Sequence, residues 1–225
     1  MNNSRHFLAD RRSTLVHLVL GLAMVGTVAC APGEAEPLPA ATSAVLQPPA
    51  GEMPLMIRNG MPGEEHRWLD ALTGDWNVEM SLFLAGGTPE KPHMGQNVVS
   101  HRRWLDKTGR RFLQEDIEGT MLGQPYYRLG VLGYSTMDKM FEFTTFDQLN
   151  ANAMSYRGPG DQRRISMTGT FTDQGVLGDT SAGRTIPMRT EIRFETADRN
   201  VYDIYFTPPG EPERLIDRKV YTRIR

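Results

Sequence analysis

The chain has 225 residues, 39% of them hydrophobic and 23% charged, which are ordinary globular values. Its formal charge of −2 excludes the strongly basic face that nucleic-acid binding needs. A single cysteine excludes an internal disulfide framework. The N-terminus opens on a positive stretch, Arg5, Arg11 and Arg12, followed by a mostly apolar run from Leu15 to Val28. That run falls short of the roughly 20 residues a membrane-spanning helix requires. It suits the hydrophobic region of a signal peptide over residues 1–29.

The run ends at Thr27-Val28-Ala29-Cys30, which resembles the bacterial lipobox, although Thr27 stands where that motif usually has Leu. The resemblance implies a diacylglyceryl group on the Cys30 thiol and cleavage before it. It also gives the lone cysteine of an exported chain a purpose. The alternative is ordinary cleavage after Ala31 and a soluble periplasmic product. Arg11-Arg12 admits a twin-arginine signal, but Ser13-Thr14-Leu15 lacks the usual apolar-aromatic pair. Ala31, not Asp, follows Cys30, so in a two-membrane bacterium the expected address is the outer membrane, facing the periplasm. The lipid attached to Cys30 is then the first expected partner.

Residues 31–63 hold seven of the fifteen prolines and no aromatic residue. Such a stretch has little to bury, so 30–63 is expected to be a lipidated cysteine plus a tether, reaching up to ~3.1 Å per residue. The folded domain is expected over 64–225. Glu65 to Gly74 predicts one short helix: Pro62 and Gly63 open it, Glu64 and Glu65 suit its positive end, and Gly74 stops it. After Gly74 the period changes to two, with Trp76, Val78, Met80, Leu82 and Leu84 alternating with polar residues. Nine further strands are predicted near 94–104, 111–118, 125–134, 140–147, 151–157, 164–171, 186–195, 200–206 and 214–224, most of them separated by turn residues. Ten antiparallel neighbours with short connections close on themselves most economically, so the expected fold is all-β, an up-and-down barrel with the helix over one end.

Several motifs place residues 65–225 alongside a known family. They are His66-x-x-Leu69-x-x-Leu72-x-Gly74-x-Trp76, Gly109-Arg110-Arg111-Phe112-Leu113, Gly119, Gly123-x-Pro125, Gly133-Tyr134, Phe146-Asp147 and Tyr221-Thr222-Arg223. Together they resemble a bacterial family defined only as a domain of unknown function. The resemblance implies a lipocalin-like or calycin-like barrel; it does not imply an activity. The chain departs from the family at Ser135, where Asp is usual, and at Phe146, where Trp is frequent. Related ten-stranded haem-binding barrels carry a histidine near the last strands, and here none follows His101.

The charge-rich face of a strand in a soluble barrel is expected outside. By that rule Met188, Thr190, Ile192 and Phe194 point inward. So do Ile216, Arg218, Val220 and Thr222, leaving Asp217 and Lys219 outside. An inward Arg218 needs a partner, either Glu115 or the acidic end of a ligand, unless the register is displaced by one. Trp76, Tyr127, Tyr134, Phe143, Phe146 and Tyr202 are the strand aromatics, expected mainly in the core. If a cavity persists, Trp76, Glu115, Tyr134, Phe143, Asp147, Tyr202 and Arg218 are the candidate ligand-binding residues. Asp147 could equally cap a turn.

No catalytic residue, metal ligand or cofactor is expected. A Gly-x-Ser-x-Gly elbow and a phosphate loop are both lacking, His66, His93 and His101 are dispersed, and Asp173 to Asp179 lacks calcium-loop spacing. The expected function is a barrel that binds a small, mostly apolar or amphipathic molecule, with a hydrophobic or acidic ligand as the expected partner. The alternative is a structural or interaction protein whose barrel is filled by its own side chains, with an enzyme a distant third. An internal cavity of at least ~300 Å³ separates the first two.

Overall fold

The computed structural model describes residues 52–225. The expected signal peptide, Cys30 and most of the expected tether lie outside those residues. Two short helices, α1 (Leu55–Asn59) and α2 (Glu64–Trp68), precede a 3₁₀ turn at Leu69–Leu72. The strands are β1 (Gly74–Leu82), β2 (His93–Met94), β3 (Gln96–Trp104), β4 (Phe112–Met121), β5 (Gln124–Ser135) and β6 (Met140–Asp147). They continue with β7 (Met154–Gly158), β8 (Arg164–Thr172), β9 (Thr185–Thr196), β10 (Arg199–Phe206) and β11 (Arg214–Arg223).

Sequential antiparallel pairing runs from β3 to β11, and β1 closes the ring by pairing with β3 on one side and β11 on the other. β2 is a short extension of β3 along β1, set off at Gly95, whose N–H donates to the Met80 carbonyl. The closed wall therefore has ten staves, as the sequence pattern predicts. Closure removes the unpaired edges that an open sheet of this size would expose. Tight turns make the short connections feasible. At Leu122-Gly123 both residues have positive φ, 53° and 73°, the geometry of a two-residue turn that follows the twist of its strands.

One end of the barrel is plugged. Glu64 and Glu65 sit at the start of α2, and the Gly63 N–H donates to His66 Nδ1 at 3.0 Å, satisfying one of the helix's open donors. Leu69 and Leu72 are buried against Trp76 and the start of the barrel. The Trp76 indole N–H donates to the Leu72 carbonyl at 3.0 Å. The Arg223 guanidinium lies 4.1 Å from the Trp76 ring and donates to the Thr73 carbonyl at 2.6 Å and the Ala71 carbonyl at 2.9 Å. The last strand thus latches the plug to the first. Large apolar side chains so buried each contribute roughly 1.5–3 kcal/mol.

Two expectations of facing are overturned. On β11 Ile216 faces inward as expected, but beyond it the inward residues are Asp217, Lys219 and Tyr221, all buried, whereas Arg218 lies on the outer wall. A bulge causes the shift: Ile204 pairs with Asp217 but Tyr205 pairs with Leu215, so Ile216 is an extra residue. On β5 the inward residue is Tyr126, and Tyr127 is exposed with its hydroxyl donating to Asp116. Phe146 is also exposed. On β9 the expected alternation holds, with Met188, Thr190 and Ile192 buried. Within the stretch expected to be a plain tether, residues 55–59 form α1, and the Thr136 hydroxyl donates to the Asn59 carbonyl.

Candidate functional site

The open end of the barrel holds a cavity of about 260 Å³. Its walls are mainly apolar, including Met80, Leu82, Met154, Ile204, Phe206 and Ile216, and loop residues Leu149, Asn150, Gly175 and Val176 frame it. The volume lies just under the ~300 Å³ at which ligand clefts begin. Polar groups gather at Arg128, Thr145, Asp147 and Asp217. A separate void of about 20 Å³ sits among Arg102, Glu115, Phe143 and Tyr202, room for about one water. The lumen is therefore packed towards the plugged end and hollow towards the other.

Between these halves lies a buried charged layer. Glu115 Oε1 accepts from Arg102 Nε at 2.7 Å and from the Ser100 hydroxyl at 3.2 Å, and Oε2 accepts from Arg128 Nη2 at 2.7 Å. Arg102 Nη1 donates to Asn200 Oδ1 at 3.1 Å. Burial alone would raise the Glu115 pKa, but the two guanidiniums and their hydrogen bonds outweigh it and bring it down to about 2. Gly130 makes room for the group, because a Cβ there would lie 2.8 Å from the Phe143 ring and 3.4 Å from Glu115 Oε2. Tyrosine faces supply further charge stabilisation: Arg102 lies 3.8 Å from the Tyr221 ring and Arg128 4.9 Å from the Tyr202 ring. Beside this triad, the fully buried Lys219 ammonium donates to Asp217 Oδ2. Burial pulls the Lys219 pKa down, and Asp217 counters only part of that.

The candidate residues divide among four places. Asp147 lies on the large cavity, where its carboxylate also accepts from the Leu149 N–H and the Asn150 amide, so the capping expectation holds too. Glu115, Phe143 and Tyr202 line the small void beneath. Trp76 belongs to the plug, and Tyr134 packs at that same end against His66 and Phe141. Tyr134 lines a groove of about 430 Å³ beside α1, whose walls include the exposed Met56 and Met137. Arg218 lies elsewhere, donating through Nε and Nη2 to the outer-wall Asp203 at 2.7 and 2.9 Å. Glu115, proposed as a partner of Arg218, is held by other arginines.

The residue patterns missed Arg128, Tyr126 and Asp217. On β5 the set Tyr127, Leu129, Val131 is more apolar than Tyr126, Arg128, Gly130, Leu132, so the polarity rule selects the wrong face. The usable signal was Gly130 flanked by Arg128 on a strand adjacent to Glu115, a small residue that makes room for a charge.

A family described as "Protein of unknown function (DUF1579)" matches residues 61–223. The chain belongs to that family. No curated protein matches it. Among solved structures, a redesigned β-barrel is 12% identical, covering 71% of this chain and 96% of that one at a TM-score of 0.36. The EF1p2 mFAP2b protein bound to DFHBI is 10% identical, with 71% and 98% covered and a TM-score of 0.37. The redesigned barrel mFAP1 bound to DFHBI is 13% identical, with 70% and 99% covered and a TM-score of 0.34.

Proposed function

We propose that this DUF1579 domain is a binding module that holds a small, mostly apolar or amphipathic molecule in the open end of its barrel. The observation that carries this reading is the asymmetry of the lumen. One end is plugged by Leu69, Leu72 and Trp76, while the other keeps a hollow of about 260 Å³ with apolar walls. A barrel selected only as a scaffold gains stability by filling such a hollow, at about 24 cal/mol per Å³.

The test is native mass spectrometry of protein purified without detergent. A co-purifying small molecule is expected, and Ile204→Trp, which fills the cavity, should remove it without loss of β-sheet circular dichroism. A bare mass from every preparation, together with an Ile204→Trp variant at least as stable as the parent, would favour the filled-scaffold alternative.

The envelope address belongs to the same proposal. The Arg-rich start, the apolar run to Val28 and Cys30 support an outer-membrane lipoprotein with the domain in the periplasm. Labelled palmitate should enter the protein and be lost on Cys30→Ser. If the unsubstituted protein takes up no label, cleavage after Ala31 replaces the anchor.

A further inference from the structure

We infer that the ligand of this barrel carries an anionic head, a carboxylate, and that Arg128 is its seat. The inference rests on the cavity being a binding site and adds the chemistry of the occupant. Among the described residues, the lumen holds three buried cations, Arg102, Arg128 and Lys219, against two buried carboxylates, Glu115 and Asp217. Lys219 and Asp217 neutralise each other by direct contact. The remaining triad has two guanidiniums sharing one carboxylate, so within the triad one positive charge is unmatched, and the half-buried Asp147 of the same chamber makes no ion pair with it among the described residues.

The shares are unequal. Arg102 spends Nε and Nη2 on Glu115 and Nη1 on Asn200. Arg128 makes one hydrogen bond among the described residues, from Nη2 to Glu115, and its Nε is buried without a partner. Arg128 is also the member of the triad that lines the large cavity, while Arg102 and Glu115 line only the small void. The surplus charge and the unused donors therefore coincide, 2% exposed, at the polar end of an apolar chamber.

A guanidinium is a planar fork that matches the two oxygens of a carboxylate. Burying a charge without a counter-ion is costly, and an anion arriving at Arg128 relieves that cost. Two carboxylates also line the chamber. Asp217 is answered by Lys219, and Asp147 is held by the Leu149 N–H and the Asn150 amide. Neither competes for Arg128 in the structure. The chamber sets the size of the tail. At ~30 Å³ for each water-sized unit, about 260 Å³ takes roughly nine such units, the bulk of a medium-chain carboxylate.

Three probes of one chain length test this on the unaltered protein by calorimetric titration: octanoate, octanol and octylammonium. Octanoate should bind about tenfold more tightly than octanol, the ratio expected of one charge-assisted contact, and octylammonium should bind most weakly. The preference should persist in about 0.5 M salt, because a buried pair is poorly screened. Arg128→Met should bring octanoate and octanol within about twofold. If that variant does not fold, Arg128→Lys keeps the charge but loses the fork, and should reduce the preference without abolishing it. Equal binding of octanoate and octanol overturns the anionic head while leaving the cavity as a site. An octanoate preference untouched by Arg128→Met or Arg128→Lys places the seat elsewhere and also overturns it. If none of the three binds, the cavity reading itself fails and this inference fails with it.

Discussion

Two carboxylates in this barrel are each bracketed by two arginines, one inside the wall and one outside it. Glu115 faces the lumen between Arg102 and Arg128, whose side chains are 6% and 2% exposed. Asp203 faces outward between Arg193 and Arg218, whose side chains are 31% and 41% exposed. Both carboxylates are themselves buried and hold lowered pKa values: desolvation opposes the charge in each case, and the guanidiniums win. The difference lies in the surplus cation. On the outer wall water solvates it, so the motif is only a surface network. In the lumen only aromatic faces back it, so the same motif leaves a surplus charge buried beside a hollow.

The largest expected effect follows from removing the inner carboxylate. Glu115→Leu leaves two buried guanidiniums without an anion and should destabilise the domain by about 3–5 kcal/mol. Chemical denaturation measures this. Adding Arg102→Met and Arg128→Met to the same chain should recover much of the loss, since a buried charged group can be replaced by apolar packing. A loss below about 1 kcal/mol for Glu115→Leu would mean water reaches the triad freely, and the inner and outer motifs would then be equivalent.

Acid should expose the same carboxylate without a mutation. The folded Glu115 pKa is about 2, against an ordinary value of 4.5, so the folded state holds this proton less tightly than the unfolded one. The stability it contributes is present above about pH 4.5 and disappears as the pH falls towards 2. Its size is about 3 kcal/mol. The melting temperature should fall as the pH is lowered through that window for the parent, and fall less for the Glu115→Leu, Arg102→Met, Arg128→Met combination.

What was legible beforehand follows from the same physics. Ten strands, their order and the plug helix could be read because strand period, turn residues and helix stops are local signals. Residues such as Leu122-Gly123 and Gly63 act through their own backbone. The facing of β9 was legible because its uncharged set, Met188, Thr190 and Ile192, is buried, with Phe194 partly so. On β5 and β11 the rule inverted, because Arg128, Asp217 and Lys219 point into the barrel while Tyr127 and Val220 do not. A polarity pattern assumes an apolar lumen, and this lumen carries its charge inside. The bulge at Ile216 completed the error on β11, since one extra residue depends on pairing with β10 and leaves no mark in the β11 pattern. The lining of the lumen was legible only in part for the same reason: Glu115 and Asp147 were among the candidates and line its cavities, and Arg128 was not among them.

On the outer wall, Asp203→Asn should cost about 1–2 kcal/mol, less than Glu115→Leu, because Arg193 and Arg218 can turn into solvent when their acceptor weakens. Denaturation of both variants in one buffer makes the comparison direct. An Asp203→Asn cost equal to that of Glu115→Leu would show that exposure of the arginines is not what separates the motifs.

The smallest effect is expected at Arg218, and it distinguishes the two sides of the wall most cleanly. Its side chain is 41% exposed, and Asp203 keeps Arg193 at 2.7 Å when Arg218 is removed. A partly exposed ion pair of this kind contributes at most about 1 kcal/mol. Arg218→Met should therefore lower stability by less than about 1 kcal/mol and leave octanoate binding unchanged within twofold. Double-mutant cycles then locate the residue. Arg218 and Asp203 share a hydrogen-bonded contact and should show a measurable coupling, whereas Arg218 and Glu115 should be additive within about 0.5 kcal/mol. Arg128 and Glu115 should couple more strongly than either pair. An Arg218–Glu115 coupling of ~1 kcal/mol or more would return Arg218 to the lumen. It would undo the bulge at Ile216 and exchange the roles of the two arginines.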